Sequence, residues 1–348
     1  MHKTLDHWFK VEAPHDVVTH KQIFYFDSIT MDSKWLYEKN PDIKIRFSTI
    51  IKWNKARSSL ENEDKYKKVQ SVVPITLCTN LSQKDQYFLP PEMKYNKKHI
   101  TFLKSNLQKC IRRQLNEKAI RTAYHLIKID INEFLRRLCI IILEDVKLHE
   151  CYSTIVWLMA ITSSTKVIFR LTKNVIDWLL GVIDTLCNIN ECDAAPESEV
   201  KYKLTEFNDY DLLYSLQFRM SYGGMRGDVE MLNDFTSLWY DRFKNNEKCS
   251  TVPIKLIDSS KVKPLSFEDW KLEGDNMAGI DYHCAPFIVG NIAKEHNYTE
   301  TEIKSAIWNC SSKINTRKPN KKSDKSIEIW NKIEQTLYKL QGFLLTQK

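Results

Sequence analysis

Residues 151–161 and 166–187 carry apolar side chains almost all the way round a helical projection. A helix with so little polar face cannot lie at a surface and has to be enclosed by other elements. Its most apolar part, 175–187, holds Asp177 and Asp184. It is therefore too short and too charged to span a bilayer, and the neighbouring sequence has to build a bundle around it. That sequence is suited to the task. Phe102, Leu103, Leu107, Ile111 and Leu115 recur at steps of three and four. Asp130, followed three residues later by Glu133, is an N-cap and N3 pair. The helix it opens carries Ile131, Phe134, Leu135, Leu138, Ile141 and Ile142 on a broad stripe. Two amphipathic helices are predicted over 209–220 and 229–243. Only 8 glycines and 10 prolines occur in 348 residues, so little punctuates these elements.

The expected fold is mainly α, a helical bundle with a small irregular α+β region at its N-terminal side. The boundaries read as a separate peptide over 1–15, a basic α+β region over 16–98, the helical domain over 99–248 and a mixed, helical region over 249–348. In the second of these, Ile43, Ile45, Phe47, Thr49 and Ile51 alternate with polar residues, the period of a half-buried strand. Val72 to Leu77 is β-branched, and Pro74 within it predicts an edge strand. Pro90 and Pro91 close the region. A polar, acid-containing linker is read over 188–203. Helices are predicted over 286–295, 300–309 and 326–345.

Charge is unevenly spread. The formal net charge is +8, yet residues 1–124 hold 23 Lys and Arg against 13 Asp and Glu, while the remainder is close to balanced. A second basic run, Lys313, Arg317, Lys318, Lys321, Lys322 and Lys325, lies near the C-terminus. Such an excess suits a polyanionic partner. Nine cysteines without a CxxC pair, and a start that lacks an apolar leader, predict reduced thiols in an intracellular protein with no membrane association.

The N-terminal peptide carries the sharpest motif. In His2-Lys3-Thr4-Leu5-Asp6-His7-Trp8-Phe9, one tight helical turn gathers Leu5, Trp8 and Phe9 on one side. This resembles the PCNA-interacting peptide, or PIP box, of proteins that bind sliding clamps. Leu5 matches the aliphatic position of that pattern, Trp8 and Phe9 match its aromatic pair, and His2 stands where glutamine is usual. The resemblance implies a sliding clamp as partner, DNA replication or repair as the setting, and the nucleus or a viral replication compartment as the location. The alternative is a turn packed on the chain's own core.

Over residues 103–161 the order of motifs is similar to the collar region of clamp-loader-related AAA+ proteins, in particular the MgsA/RarA and Werner-helicase-interacting ATPases. The matching pieces are Lys109-Cys110-Ile111-Arg112, Ala119 to Leu126, Phe134-Leu135-Arg136-Arg137-Leu138 and Glu144-Asp145-Val146. No GxxxxGK[ST] loop accompanies them, so the resemblance implies a collar without its motor, with assembly into a homo-oligomer as one use. Composition also resembles uncharacterised proteins of large DNA viruses of eukaryotes.

Lys94, Lys97, Lys98, Lys104, Lys109, Arg112 and Arg113 have few acids near them in sequence and are the candidate phosphate contacts, with Tyr95 and Phe102 as stacking partners. Arg226 joins them through Ser221-Tyr222-Gly223-Gly224-Met225-Arg226-Gly227, which either binds an anion or forms a glycine-based turn between helices. Arg136 and Arg137 have acids nearby and are read as surface ion pairs. The densest reactive cluster is Asp281, His283 and Cys284, which would serve a metal- or cysteine-dependent hydrolase. No HExxH, GxSxG or paired-carboxylate motif supports catalysis, and no cofactor is expected. The leading expectation is a non-enzymatic accessory protein that docks on a clamp and contacts nucleic acid. A helical scaffold is the third possibility.

Overall fold

The computed structural model describes residues 22–38, 41–54, 72–84, 98–165, 168–194, 210–223, 226–263, 265 and 286–346. The protein is mainly α, with ten α-helices among these residues and a small sheet at the N-terminal side. The sheet comprises β1 (Ile23–Asp27), β2 (Asp32–Leu36), β3 (Phe47–Asn54) and β4 (Val72–Thr79), in the order β2-β1-β4-β3. β1 and β2 form an antiparallel hairpin, β1 and β4 run parallel, and β3 and β4 pair antiparallel with Ser48 opposite Cys78.

β4 is therefore an interior strand, not the edge strand that Pro74 predicts. Its pairing with β1 begins only at Thr76, whose N–H donates to Gln22. β1 itself begins at Ile23, and Pro74 lies beyond that ladder, paired with Lys52 of β3. The missing proline N–H therefore falls where β1 offers no ladder.

One face of the sheet is aromatic and sits on helices. Phe24 stacks on Trp35 at 4.0 Å between ring centroids, and Trp35 and Trp53 meet Tyr214 and Phe218 edge-on. Two indole N–H groups find partners inside this layer. Trp35 donates to the Ser215 hydroxyl (2.9 Å) and Trp157 to the Phe24 carbonyl (2.9 Å). Burying the polar handle of an indole requires such partners.

The helices follow as α1 (Lys98–Arg112), α2 (Asn116–Ile129), α3 (Ile131–Asp145), α4 (Tyr152–Thr162), α5 (Lys173–Asn188), α6 (Asp211–Met220) and α7 (Arg226–Lys244). Asp130 caps α3 as the sequence predicts, its carboxylate accepting from the N–H groups of Asn132 and Glu133 (both 3.0 Å). α4 is buried from Tyr152 to Ile161, as a helix without a polar face must be. α5 begins at Lys173 rather than 166 because Thr172 caps it, accepting from the Val175 N–H. Midway along α5, Gly181 lets another backbone come close. A Cβ built there would stand 2.1 Å from the Lys255 carbonyl oxygen. The segment around Lys255 is pinned to α5 by Ile257 N–H to the Asp177 carbonyl (3.1 Å) and Ser259 N–H to the Asp177 carboxylate (2.9 Å).

The last elements are α8 (Pro286–His296), α9 (Glu300–Ile307), a π-helical turn (Trp308–Ser312) and α10 (Asp324–Thr346). They enclose a second apolar cluster that includes Ile292, Ile303, Ile307, Ile333 and Leu337. Thr299 and Glu302 close a capping box at the start of α9.

What joins this unit to the bundle is polar. The Arg317 guanidinium donates to the carbonyls of Ile111 (2.9 Å), Leu186 (2.6 Å) and Ile189 (2.6 Å). These lie at the C-terminal ends of α1 and α5. Asn315 donates to the Asp145 carbonyl at the end of α3 (3.0 Å), and Thr316 N–H and hydroxyl both reach the Arg112 carbonyl. Helix C-termini leave carbonyls without intrahelical partners and carry partial negative charge. Residues 315–317 act as one clip over three of them.

Candidate functional site

The candidate phosphate contacts on α1 divide by environment. Lys104 ion-pairs with Glu133 at 2.5 Å. Burial works against that carboxylate, yet the Lys104 hydrogen bond and charge outweigh it and hold its pKa below the ordinary value. Lys109 is only 3% exposed. Arg112, 7% exposed, is enclosed by the Asp145 carboxylate, Glu144 (2.8 Å) and the Ser312 carbonyl (2.6 Å). Arg113 donates to the carbonyl (3.0 Å) and hydroxyl (3.2 Å) of Ser311. Sequence reading expected these side chains to face phosphates, but the structure turns Lys109 and Arg112 into the interior. The partner acids end α3, more than thirty residues further along the chain. Lys98 opens α1 and Arg226 opens α7. The clamp-peptide residues His2, Leu5, Trp8 and Phe9, the contacts Lys94 and Lys97, and the cluster Asp281, His283 and Cys284 lie outside the described residues.

Between α6 and α7, Gly223 adopts φ 70°, the left-handed conformation that glycine tolerates, and its N–H closes the helix end on the Met220 carbonyl (2.9 Å). Gly223 thus ends α6 in the way a glycine-based turn requires.

Two further surfaces among the described residues carry accessible polar chemistry. The first is an open cleft of about 1370 Å³ between the β1–β2 tip, the N-terminal ends of α4 and α5, and the segment Ile254 to Leu256. Its polar groups balance one another. Asp32 and Glu150 face Lys84 and Lys173 across it, and Lys173 is already bound to Asp177 (2.5 Å) and Asp258 (2.7 Å). Burial raises the thiol pKa of Cys151, which lines the cleft, and those of Cys139 and Cys249, each to about 11. These cysteines are held protonated, the opposite of what an attacking thiolate needs. Among the described residues no group of three or more His, Cys, Asp or Glu could hold a metal ion, and no helix is long and apolar enough to cross a membrane.

The second surface is the face of the sheet turned away from the helices. Its centre is a small apolar cluster of Ile23, Tyr25 and Cys78, flanked by Leu36 and Ile43. Its margins are basic. Lys34 stands on β2 opposite Tyr25, Lys52 stands on β3, and Lys44 and Arg46 lead into β3, all four exposed. The strand period places Lys34, Ser48, Ile50 and Lys52 on this one face, because Trp35, Ile51 and Trp53 point into the core. Four cations of the N-terminal excess thus reach the surface at the sheet.

Sequence reasoning also missed the buried acid Asp193, which it assigned to a polar linker. Its carboxylate accepts from Arg242 (2.6 Å), the Trp239 indole (2.9 Å) and the Leu148 N–H (3.0 Å). Nothing local marks it, because all three partners are about fifty residues away.

Compared with protein-family models, with curated proteins and with solved structures, the chain finds no match.

Proposed function

We propose that this protein is a non-enzymatic accessory factor of DNA replication or repair that docks on a sliding clamp and contacts nucleic acid through its basic N-terminal third. The observation that carries the reading is the spacing of Leu5, Trp8 and Phe9, which makes a compact apolar plug of the kind a preformed clamp pocket accepts. Burying such side chains contributes about 1.5–3 kcal/mol each. The interval from Phe9 to Ile23, the first residue of β1, reaches at most about 50 Å at full extension. A docked peptide would therefore keep the folded body close to the clamp and to the duplex it encircles. The basic margins of the sheet, Lys34, Lys44, Arg46 and Lys52, supply exposed cations for sequence-independent phosphate contact. In this reading the central helices serve as a collar-like platform without a motor of their own.

The test is retention on immobilised PCNA-type clamp. Wild type should be retained, and Leu5→Ala/Trp8→Ala/Phe9→Ala should be lost with unchanged thermal unfolding. Equal retention of the two proteins would remove the clamp from the proposal.

A further inference from the structure

We propose that the loop from Lys313 to Ser323 is a second, preorganised phosphate-contacting surface that binds the nucleic-acid backbone through Lys318, Lys321 and Lys322. The three lysines are exposed, and none forms an ion pair among the described residues. Lys318 makes only a long hydrogen bond, 3.4 Å, to the Glu144 carbonyl. Their neighbour Lys325, by contrast, is neutralised by Glu302 at 2.8 Å, so the available charge is concentrated on three residues. Asp324 adjoins the loop in sequence, and Glu144, whose carbonyl Lys318 reaches, has its carboxylate occupied by Arg112.

The loop is held at both ends and across its middle. At the start, the clip of Asn315, Thr316 and Arg317 fixes it to three helix C-termini, as described above. At the end, Ser323 caps α10, accepting from the Ser326 N–H (3.2 Å). Between them, the Lys313 ammonium donates to the Lys321 carbonyl (3.1 Å). None of these bonds uses the ammonium groups of Lys321 or Lys322. A loop already ordered loses little conformational entropy when it binds, which favours contact by few charges. The helix-end carbonyls explain Asn315 and Arg317. They do not explain three further cations on the solvent side.

A protein partner would call for an aromatic or aliphatic anchor at the centre of the contact, and residues 318–323 offer only Pro319. Cations without an anchor suit a regular polyanion, whose phosphates need charge and reach but no pocket. This inference rests on the nucleic-acid half of the proposed function and is independent of clamp docking.

The experiment measures fluorescence anisotropy of the full chain with a short DNA duplex as a function of salt. It compares wild type, a loop variant (Lys318→Ala/Lys321→Ala/Lys322→Ala) and a sheet variant (Lys34→Ala/Lys44→Ala/Lys52→Ala). Each phosphate contact contributes about 0.9 to the slope of log K against log salt. The loop variant should therefore lose about two to three units of slope and bind correspondingly more weakly at low salt, with unfolding unchanged. A loop variant with the wild-type slope, alongside a weakened sheet variant, would overturn this proposal and leave the nucleic-acid reading standing. Failure of wild type to bind DNA at all would sink both. Binding of poly-glutamate that matches DNA in strength and in dependence on the loop would assign the surface to acidic proteins instead, and so overturn it too.

Discussion

Replacing Arg317 with methionine keeps about the bulk of its aliphatic stem and removes its guanidinium. Three hydrogen bonds shorter than 3 Å disappear, to Ile111, Leu186 and Ile189. A hydrogen bond from a charged donor contributes about 1.5–3 kcal/mol net. Arg317 is only half-buried, so water will reach some of the carbonyls left behind, and the total falls to about 3–5 kcal/mol. At about 2–4 °C per kcal/mol for chains of this order of size, Tm should drop by about 6–20 °C. Arg317→Lys separates charge from geometry. Its ammonium still faces two helix C-termini, worth about 0.3–1 kcal/mol each, but one point charge cannot reach three separate carbonyls at once. Its Tm should fall between the other two. Thermal unfolding by far-UV circular dichroism reads both variants. Amide hydrogen exchange should show protection lost first in α8–α10, the unit the clip attaches. A methionine variant within about 2 °C of wild type would refute the reasoning, and a lysine variant equal to wild type would show that the fork geometry is irrelevant.

Gly181→Ala should destabilise, although alanine is the better helix former by about 1 kcal/mol. Its Cβ would meet the Lys255 carbonyl oxygen at 2.1 Å, so α5 and that segment must separate; a raised or unchanged Tm would contradict the close approach. Acid should also weaken the fold. His149 accepts from the Cys151 N–H on Nδ1 (3.1 Å) and meets the Val252 carbonyl through Nε2 (2.9 Å), which requires the neutral ring. Burial lowers its pKa, and burial together with Lys128 and His99 lowers that of His125 to about 4. Because the unfolded chain takes up these protons first, near pH 6.5, histidine-linked stability is complete above about pH 7 and declines from there toward pH 4. Urea titrations across that window read the effect, and a flat profile would show that both rings protonate without cost.

The parts of the fold legible in the sequence were those governed by local period. α4 could be placed because a helix without a polar face has one solution, and α3 because an aspartate three residues before a glutamate satisfies orphan N–H groups whatever surrounds it. β4 was legible as a strand but not as an interior one. The rule that keeps proline at edges concerns the missing N–H, and only the stagger of β1 shows that its ladder with β4 starts beyond Pro74. Of the candidate site, the basic third could be seen, but not which of its charges face water.

That last failure has one physical source. A scarcity of acids near an arginine in sequence does not expose it, because a carboxylate neutralises what it touches in space. Arg112 had few local acids and met Asp145 and Glu144 at the end of another helix. Arg317 sat in a run of lysines that looked like a surface patch and turned inward, because helix carbonyls attract a cation as carboxylates do. Lys318, Lys321 and Lys322, from the same run, stayed outside. The planar group with several donors was drawn to the converging carbonyls, and the compact, strongly hydrated ammonium groups were left to solvent. In this fold the loop lysines and, at the margins of the sheet, Lys34, Lys44, Arg46 and Lys52 face solvent, while Arg112, Arg113 and Arg317 tie the loop to the bundle.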